Sequence, residues 1–370
     1  MKKIKNNDGV AEWKIDHPLE RLLAKAADKG AFGKFLYVQF YKTFDRVYFT
    51  KGLKLIDKHI AIWRGQVTEK QRKAYIYDMV YSLHRFGCMF DEYFYFDYEK
   101  LNVQGRESFI TDKIRWDYYA RMNLDENKEL FNNKRKAYEK FRPYYHREVI
   151  EVLDDSHKER LCAFAQKHGR VIVKPLYGSA GNGIFAVSVD QFPDLDTLFT
   201  RVRQAGPVVV EEMLRQDPEM AKLHAESINT VRVPTLKLKD RVVIFSPFMR
   251  TGCGDSVVDN AAQGGILMAV DPATGMIYMD GADESGHRYL KHPDTGVTMP
   301  GFQIPRWEEA RALATELALQ VEGNHYVGWD LALTDKGWTM IEGNPRGMFV
   351  TQLVTKKGIR QELEDYIAQM

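Results

Sequence analysis

Cysteine is scarce in this chain and badly spaced for any shared role. Cys88, Cys162 and Cys253 are odd in number, far apart and without a Cys-x-x-Cys pair. That excludes a disulfide framework and a zinc site of the usual spacing, and points to a reduced, cytoplasmic protein. Each reads as a small buried apolar residue. No run of about 18 apolar residues occurs, so no segment is expected to cross a membrane. The opening Met1-Lys2-Lys3-Ile4-Lys5-Asn6-Asn7-Asp8 has charge but no apolar stretch of the kind secretory signals carry. Histidines form no metal-type cluster and no Ser-His-Asp spacing. Internal repeats and low-complexity linkers are missing too.

What is present is unevenly distributed. The net charge is only +2, yet residues 1–150 hold 30 Lys/Arg against 21 Asp/Glu and the remainder 23 against 30, giving +9 and −7. The first part also holds 29 of the 45 aromatics, including Phe90-Asp91-Glu92-Tyr93-Phe94-Tyr95-Phe96-Asp97-Tyr98. Basic and aromatic together suit an anionic partner, such as a phosphorylated carrier, an acidic glycan or a nucleic acid, and allow peripheral association with a membrane. The plainer reading is an aromatic core under a solvated basic surface. No nucleic acid is expected as a partner.

Periodicity divides the chain. Residues 17–85 follow a helical pattern, as in Leu19, Leu22, Leu23 and Ala26, and Leu130–Phe141 reads as one further amphipathic helix. From about 147 the pattern becomes short β-branched runs, Val171-Ile172-Val173, Val208-Val209-Val210, Val231-Arg232-Val233 and Val242-Val243-Ile244-Phe245, separated by glycine and polar turns. Late helices are predicted at 306–322 and 358–368.

Three segments carry chemistry. Tyr326–Asn344 reads as a β-hairpin turning on a three-residue loop, Asp335-Lys336-Gly337, which sets Asp330 opposite Glu342 with Asn344 on the same face. Two carboxylates about 5 Å apart repel unless a cation lies between them, and Mg²⁺ takes such a pair with phosphate and water. A polar hairpin face meeting solvent is the alternative. Lys174-Pro175-Leu176-Tyr177-Gly178-Ser179-Ala180-Gly181-Asn182-Gly183 reads as a loop between two strands, its small residues freeing N–H groups for phosphate oxygens. It is not a Walker loop, because no Gly-Lys-Ser/Thr ends it; a plain flexible turn is the other reading. Val208-Val209-Val210-Glu211-Glu212-Met213-Leu214 reads as a buried strand running into a linker, an edge that can meet adenine.

In this order and spacing, together with Asn229-Thr230-Val231-Arg232, Gly328-Trp329-Asp330 and Glu342-Gly343-Asn344-Pro345-Arg346, these segments closely resemble the ATP-grasp superfamily from about Asn133 to Arg346. Within it the chain is most similar to the sugar-transfer-associated group found with polysaccharide biosynthesis genes, and also to peptide-type glutamate ligases. The resemblance implies an α+β architecture, an ATP-grasp fold of two subdomains clamping ATP (129–212 and 213–370), preceded by a mainly helical, aromatic-rich region, 1–128. It implies ATP with two Mg²⁺ ions, or Mn²⁺ in their place. Lys134 and Lys174 match the phosphate-side lysines, with Lys136 as substitute for the first because Asn133 stands where an aspartate is usual. Gly178, Ser179, Ala180, Gly181 and Gly183 match the phosphate loop. Glu211 matches the acceptor for the adenine amine, Glu212 and Leu214 the hinge contacts, and Glu219, ahead of Asp217, the ribose contact. Asp330, Glu342 and Asn344 match the metal ligands.

Arginines complete the set. An inward-facing strand arginine such as Arg232 needs an anion. Arg232 and Arg250 match the pair that holds the transferring group in glutamate ligases, or form structural ion pairs; Arg346 follows the metal asparagine, and Asn260 is the substrate-contact choice in Asp259–Gly265. His224 reads as a surface or helix-end residue ahead of a substrate contact. The implied reaction is an ATP-dependent carboxylate-amine ligation through an acyl phosphate, joining an amino acid to a glycan, sugar acid or peptide. A phosphotransferase acting on a hydroxyl, and a non-catalytic nucleotide-binding partner of glycosyltransferases, are the alternatives.

Overall fold

Helices fill the first part of the chain because apolar residues recur there at three- and four-residue steps between polar turns. The computed structural model describes residues 2–3, 15–178, 181–254, 259 and 264–370. Helices Pro18–Ala27, Ala31–Phe44, Arg46–Arg64 and Glu69–Phe86 occupy the stretch expected to be helical. The fourth starts at a capping box between Thr68 and Gln71 and stops at Gly87, whose φ of +66° an L side chain rarely adopts. Short helices Glu92–Tyr95 and Val103–Glu107 and the helix Asp112–Met122 follow. Two short strands, β1 (Lys2–Lys3) and β2 (Ile15–Asp16), pair antiparallel. Asp78 ties the helices together: Arg106 donates to both its oxygens (2.8 and 2.7 Å), and Tyr93 and Lys34 donate from either side.

The chain divides into two compact units, residues 1–122 with 348–369, and residues 123–347 with 370. The division therefore falls at 122/123 instead of 128. Helices Thr351–Thr355 and Arg360–Ile367, assigned from the sequence to the second part, lie in the first unit. Their hydrogen bonds explain why: Gln352 pairs with both backbone groups of Ile110, and Glu364 accepts from Tyr118 and Arg121. No helix among the described residues is long and apolar enough to cross a membrane.

The second unit holds two antiparallel sheets. The smaller has the order β3-β6-β4-β5, from β3 (Val149–Val152), β4 (Arg170–Pro175), β5 (Phe185–Ser188) and β6 (Val208–Glu212). Val171, Val173, Val208 and Val210 form one core with Leu161 and Phe164 of helix Lys158–His168 and Leu198 of helix Leu195–Arg203. The larger sheet comprises β7 (Val231–Lys237), β8 (Val242–Ile244), β9 (Phe248–Thr251), β10 (Ile266–Ala269), β11 (Gly281–Ala282), β12 (Arg288–Tyr289), β13 (Tyr326–Thr334) and β14 (Gly337–Asn344). Its order is β12-β11-β10-β9-β7-β13-β14, with β8 also on β7. Helix Trp307–Leu319 shares a core with this sheet, and every residue of β13 is buried.

One predicted helix is two. Leu130–Phe141 breaks into Lys128–Asn132 and Lys134–Phe141 because the Asn133 side chain accepts from the N–H groups of Arg135 (3.1 Å) and Lys136 (3.2 Å), capping the second helix. The asparagine that departs from the family pattern thus fixes where the lysine segment starts.

Candidate active site

The hairpin of β13 and β14 sets Asp330 directly opposite Glu342, as expected, but by a different route. Thr334 pairs with Gly337, so the turn has two residues, Asp335 and Lys336, and Leu331 then pairs with Met340. Continued unchanged, that register would place Ile341 opposite Asp330. An irregularity between Asp330 and Leu331 leaves Ile341 unpaired and restores the match, the work of a β-bulge. Asn344, opposite Gly328, lies on the same face and donates from Nδ2 to Glu342 (3.2 Å) and Asp330 (3.4 Å). The other face is packed solid: Trp329 lies against Phe131 and Phe141 and donates its indole N–H to Thr235. A Cβ on Gly343 would sit 2.7 Å from the Phe131 ring and 2.9 Å from that of Trp329. Gly343→Ala is therefore expected to cost about 1–3 kcal/mol in urea unfolding. An unchanged midpoint would mean the rings give way freely.

Two arginines close over the carboxylates. Arg232, near the start of β7, donates from Nε and one terminal nitrogen to the two oxygens of Asp330 (2.6 and 2.7 Å). Arg250, on β9, donates to the same carboxylate at 2.8 Å and to Thr230 Oγ1. Gly328 makes room, since a Cβ there would come within 3.1 Å of the Arg232 side chain. Burial alone would raise the Asp330 carboxyl, but Arg232 and Arg250 together hold it well below the usual carboxylate range. Glu342 is pushed the other way, by burial and then by Asp330. Its side chain is 45% exposed against 1% for Asp330. The arginines are thus ion-paired, and they face the hairpin acids.

The donor set suits a hard divalent cation. Two carboxylates and an amide converge from one face of the hairpin, and Glu342 is met by Arg232 only at 3.9 Å, far more loosely than Asp330. Among the described residues no three His, Cys, Asp or Glu side chains could hold a metal by themselves. An ion here would draw the rest of its shell from Asn344, ligand oxygens and water, the habit of Mg²⁺.

A second charged cluster lies on the small sheet. Lys174 pairs with Val209 in register and Glu211 lies two residues on, so both point from the same face. Lys174 Nζ and Arg147 Nε both donate to Oε2 of Glu211 (2.8 and 2.6 Å). Every hydrogen bond the Glu211 side chain makes among the described residues is at that oxygen, which leaves Oε1 as an acceptor. Burial would raise this carboxyl, yet Arg147 and then Lys174 bring it down to about 2. Arg147 had no sequence signal of its own; it also donates to the carbonyls of Tyr145 and Met340. Lys134 Nζ donates to the Gly178 carbonyl (3.0 Å) and its N–H to the Leu176 carbonyl, so helix Lys134–Phe141 is fastened to the glycine loop. Burial lowers the Lys134 ammonium, Glu342 opposes this and Lys174 adds to it, so the three charges share one neighbourhood. Gly178 has φ of +131° and nothing within 4 Å of a would-be Cβ; backbone conformation, not crowding, calls for glycine there.

Other expected residues are placed elsewhere or lie beyond description. Ser179, Ala180 and Asn260 fall outside the described residues. Gly181 and Gly183 continue the loop with positive φ. Glu212 accepts from Lys336 and from the Glu148 N–H, and Leu214 follows in the connection to helix Pro218–Ala221. Glu219 pairs with Lys222 at the surface, Asp217 caps that short helix, and Lys136 pairs with Glu129. Arg346 donates to Asp125, not to the hairpin acids. His224 is neither superficial nor at a helix end: it is buried, with Nδ1 at 2.8 Å from Ser227 Oγ and Nε2 at 2.9 Å from the Gly254 carbonyl. His292 meets the Gly252 carbonyl the same way, and Asp259 accepts from the Thr230 N–H. These groups anchor the loop that begins at Gly252. Of them, the sequence had marked Asp259 by its segment and His224 in a different role, but not His292.

Residues 192–367 match the family model for sugar-transfer associated ATP-grasp proteins, and residues 143–217 match that for the ATP-grasp domain of prokaryotic glutathione synthetase. Among solved structures, D-alanyl-alanine synthetase A from Vibrio cholerae is similar at 12% identity over 67% of this chain and 68% of its own, with a TM-score of 0.42. The ATP-grasp ligase PsnB, solved with a phosphomimetic variant of minimal precursor, Mg and ADP, is similar at 15% over 67% and 61%, with a TM-score of 0.41. N5-carboxyaminoimidazole synthetase from Staphylococcus aureus, solved with ADP, is similar at 11% over 59% and 45%, with a TM-score of 0.37. The chain spans about half to two thirds of the length of these structures. No curated protein matches it.

Proposed function

We propose that this ATP-grasp chain, matched over residues 192–367 and 143–217, is an ATP- and magnesium-dependent ligase that joins a carboxylate to an amine through an acyl phosphate. The observation that carries this reading is the grouping of Arg232, Arg250, Asp330, Glu342 and Asn344 on neighbouring strands, with Lys134 near enough to feel Glu342 and Lys174. Asp330, Glu342 and Asn344 would hold Mg²⁺, which would supply positive charge to neutralise phosphate oxygens.

The chain's own residues then bind and orient. Glu211 Oε1 accepts from the adenine amine, and Lys174 and Lys134 meet the phosphates under the loop from Gly178 to Gly183. A substrate carboxylate oxygen attacks the γ-phosphorus in line and the bond to ADP breaks. Arg232 and Arg250 lend the transferring group positive charge by loosening part of their hold on Asp330. The amine nitrogen attacks the acyl carbon, the bond to phosphate oxygen breaks, and the nitrogen loses its proton to leave an amide. Positioning and charge do the catalysis, consistent with a site that offers no activated nucleophile. The family group favours an amino acid joined to a glycan, a sugar acid or a peptide.

The test is ATP-dependent phosphate release with paired carboxylates and amines. Release is expected only when both are present, and hydroxylamine in place of the amine should yield a hydroxamate. A phosphorylated product formed without any amine would overturn the ligase reading in favour of a phosphotransferase.

A further inference from the structure

The aromatic wealth of the first unit is turned inward: Tyr37, Tyr41, Tyr81, Tyr93, Tyr98 and Phe109 are all buried. What its first three helices leave outside is different. Between residues 17 and 64 stand ten Lys/Arg and four acids, a net charge of +6. Every cation there except Lys34 is exposed, and none of the acids is. Glu20 is buried and accepts from Tyr37, Asp28 takes Tyr81 and Arg85, Asp57 takes Arg72, and Asp45 is partly covered. Glu20 serves the interior, Asp28 and Asp57 are taken by arginines, and the exposed charge of this stretch is mostly of one sign.

Large apolar side chains share that surface. Leu22, Phe32, Val47 and Ile62 are 65, 74, 71 and 57% exposed. On helix Arg46–Arg64 the pattern is sharpest: Val47, Lys51, Lys54, Leu55, Lys58 and Ile62 are all exposed. At about 100° per residue these six fall within a sector of roughly 100°, three apolar and three basic, with no carboxylate among them. The opposite face, with Ile56 and Ile60, is buried.

We propose that this exposed face of the helix Arg46–Arg64 docks the protein on an anionic lipid surface. Its chemistry selects that occupant. Protein interfaces are depleted of lysine at their apolar centre, and nucleic-acid grooves join arginine to stacking aromatics. The six positions on this helix join lysines to Val, Leu and Ile, with neither arginine nor an aromatic ring among them. A leaflet satisfies both kinds at once: apolar ends enter below the headgroups while the long lysine stems carry their ammonium groups up to the phosphates. This docking is independent of the reaction at the hairpin.

The full chain should float with vesicles of phosphatidylcholine containing about a quarter phosphatidylglycerol, and not with phosphatidylcholine alone. The triple variant Lys51→Glu, Lys54→Glu, Lys58→Glu should weaken that binding by at least roughly a hundredfold. Val47→Ser, Leu55→Ser, Ile62→Ser should still bind at low salt and wash off at high salt. All six positions are exposed, so circular dichroism and melting should match the parent. Parent protein that stays in solution with anionic vesicles, or variants that bind as the parent does, would overturn the proposal. So would a dimer in sedimentation velocity that the serine variant breaks, or tighter binding to single-stranded nucleic acid than to vesicles.

Discussion

Asp330→Ala should destabilise the second unit by about 3–5 kcal/mol, whereas Glu342→Gln should leave it folded and inactive. The two acids face each other across one hairpin, but their surroundings differ. Asp330 is fully buried and holds both Arg232 and Arg250. Removing its carboxylate leaves two buried guanidiniums beside each other with no shared anion, a loss large against the roughly 5–15 kcal/mol that holds a domain folded. Glu342 is far more open, and its negative charge meets that of Asp330. Neutral glutamine ends the repulsion, so stability should hold or rise by up to about 1 kcal/mol. If Glu342 carries the metal, ATP-dependent phosphate release should fall by at least about a hundredfold in the same variant. Urea unfolding and a phosphate-release assay on both proteins separate the roles. Full activity in Glu342→Gln would sink the metal assignment, and a parent-like midpoint for Asp330→Ala would sink the argument from burial.

This pair also shows what a sequence can and cannot carry. The facing of Asp330 and Glu342 was legible because strand alternation and a turn signal suffice to count across a hairpin. The count assumed a three-residue loop, while the chain uses a two-residue turn and recovers the register with a bulge at Ile341. Local counting cannot see such compensation, since a bulge answers to packing on the far face, where Trp329 and Phe131 leave no space at Gly343. Arg147 escaped for a similar reason. It lies two residues ahead of Val149, which pairs with Glu211, and only sheet register brings it under that carboxylate. His224 and His292 stand 68 positions apart in sequence yet 5.8 Å apart between ring centres. No spacing rule reaches that far. The return of Gln352 and Glu364 to the first unit is equally non-local, being written in single hydrogen bonds to Ile110, Tyr118 and Arg121.

Acid should remove a specific part of the protein's stability, and Glu211 should be its source. Folded Glu211 stays ionised down to about pH 2, whereas its ordinary value is 4.5. Between those limits the unfolded chain binds the proton that the folded chain refuses. Stability is therefore fully present above about pH 5 and is lost as pH falls through 4.5 toward 2, by an amount on the order of 3 kcal/mol. Glu211→Gln removes the group and leaves Arg147 and Lys174 buried against a neutral amide, so it should be less stable than the parent at pH 7 by about 3–5 kcal/mol. The gap should close as the solution is acidified, because only the parent has this contribution to lose. Urea midpoints measured for both proteins from neutral pH to about pH 3 give the comparison, and parallel curves would remove Glu211 from the account. The same pinning bears on the nucleotide. Two cations on Oε2 keep the carboxylate charged at any working pH, so Oε1 can only accept a hydrogen bond. An acceptor that never becomes a donor suits the amino group of adenine and repels the oxo group that guanine carries in its place.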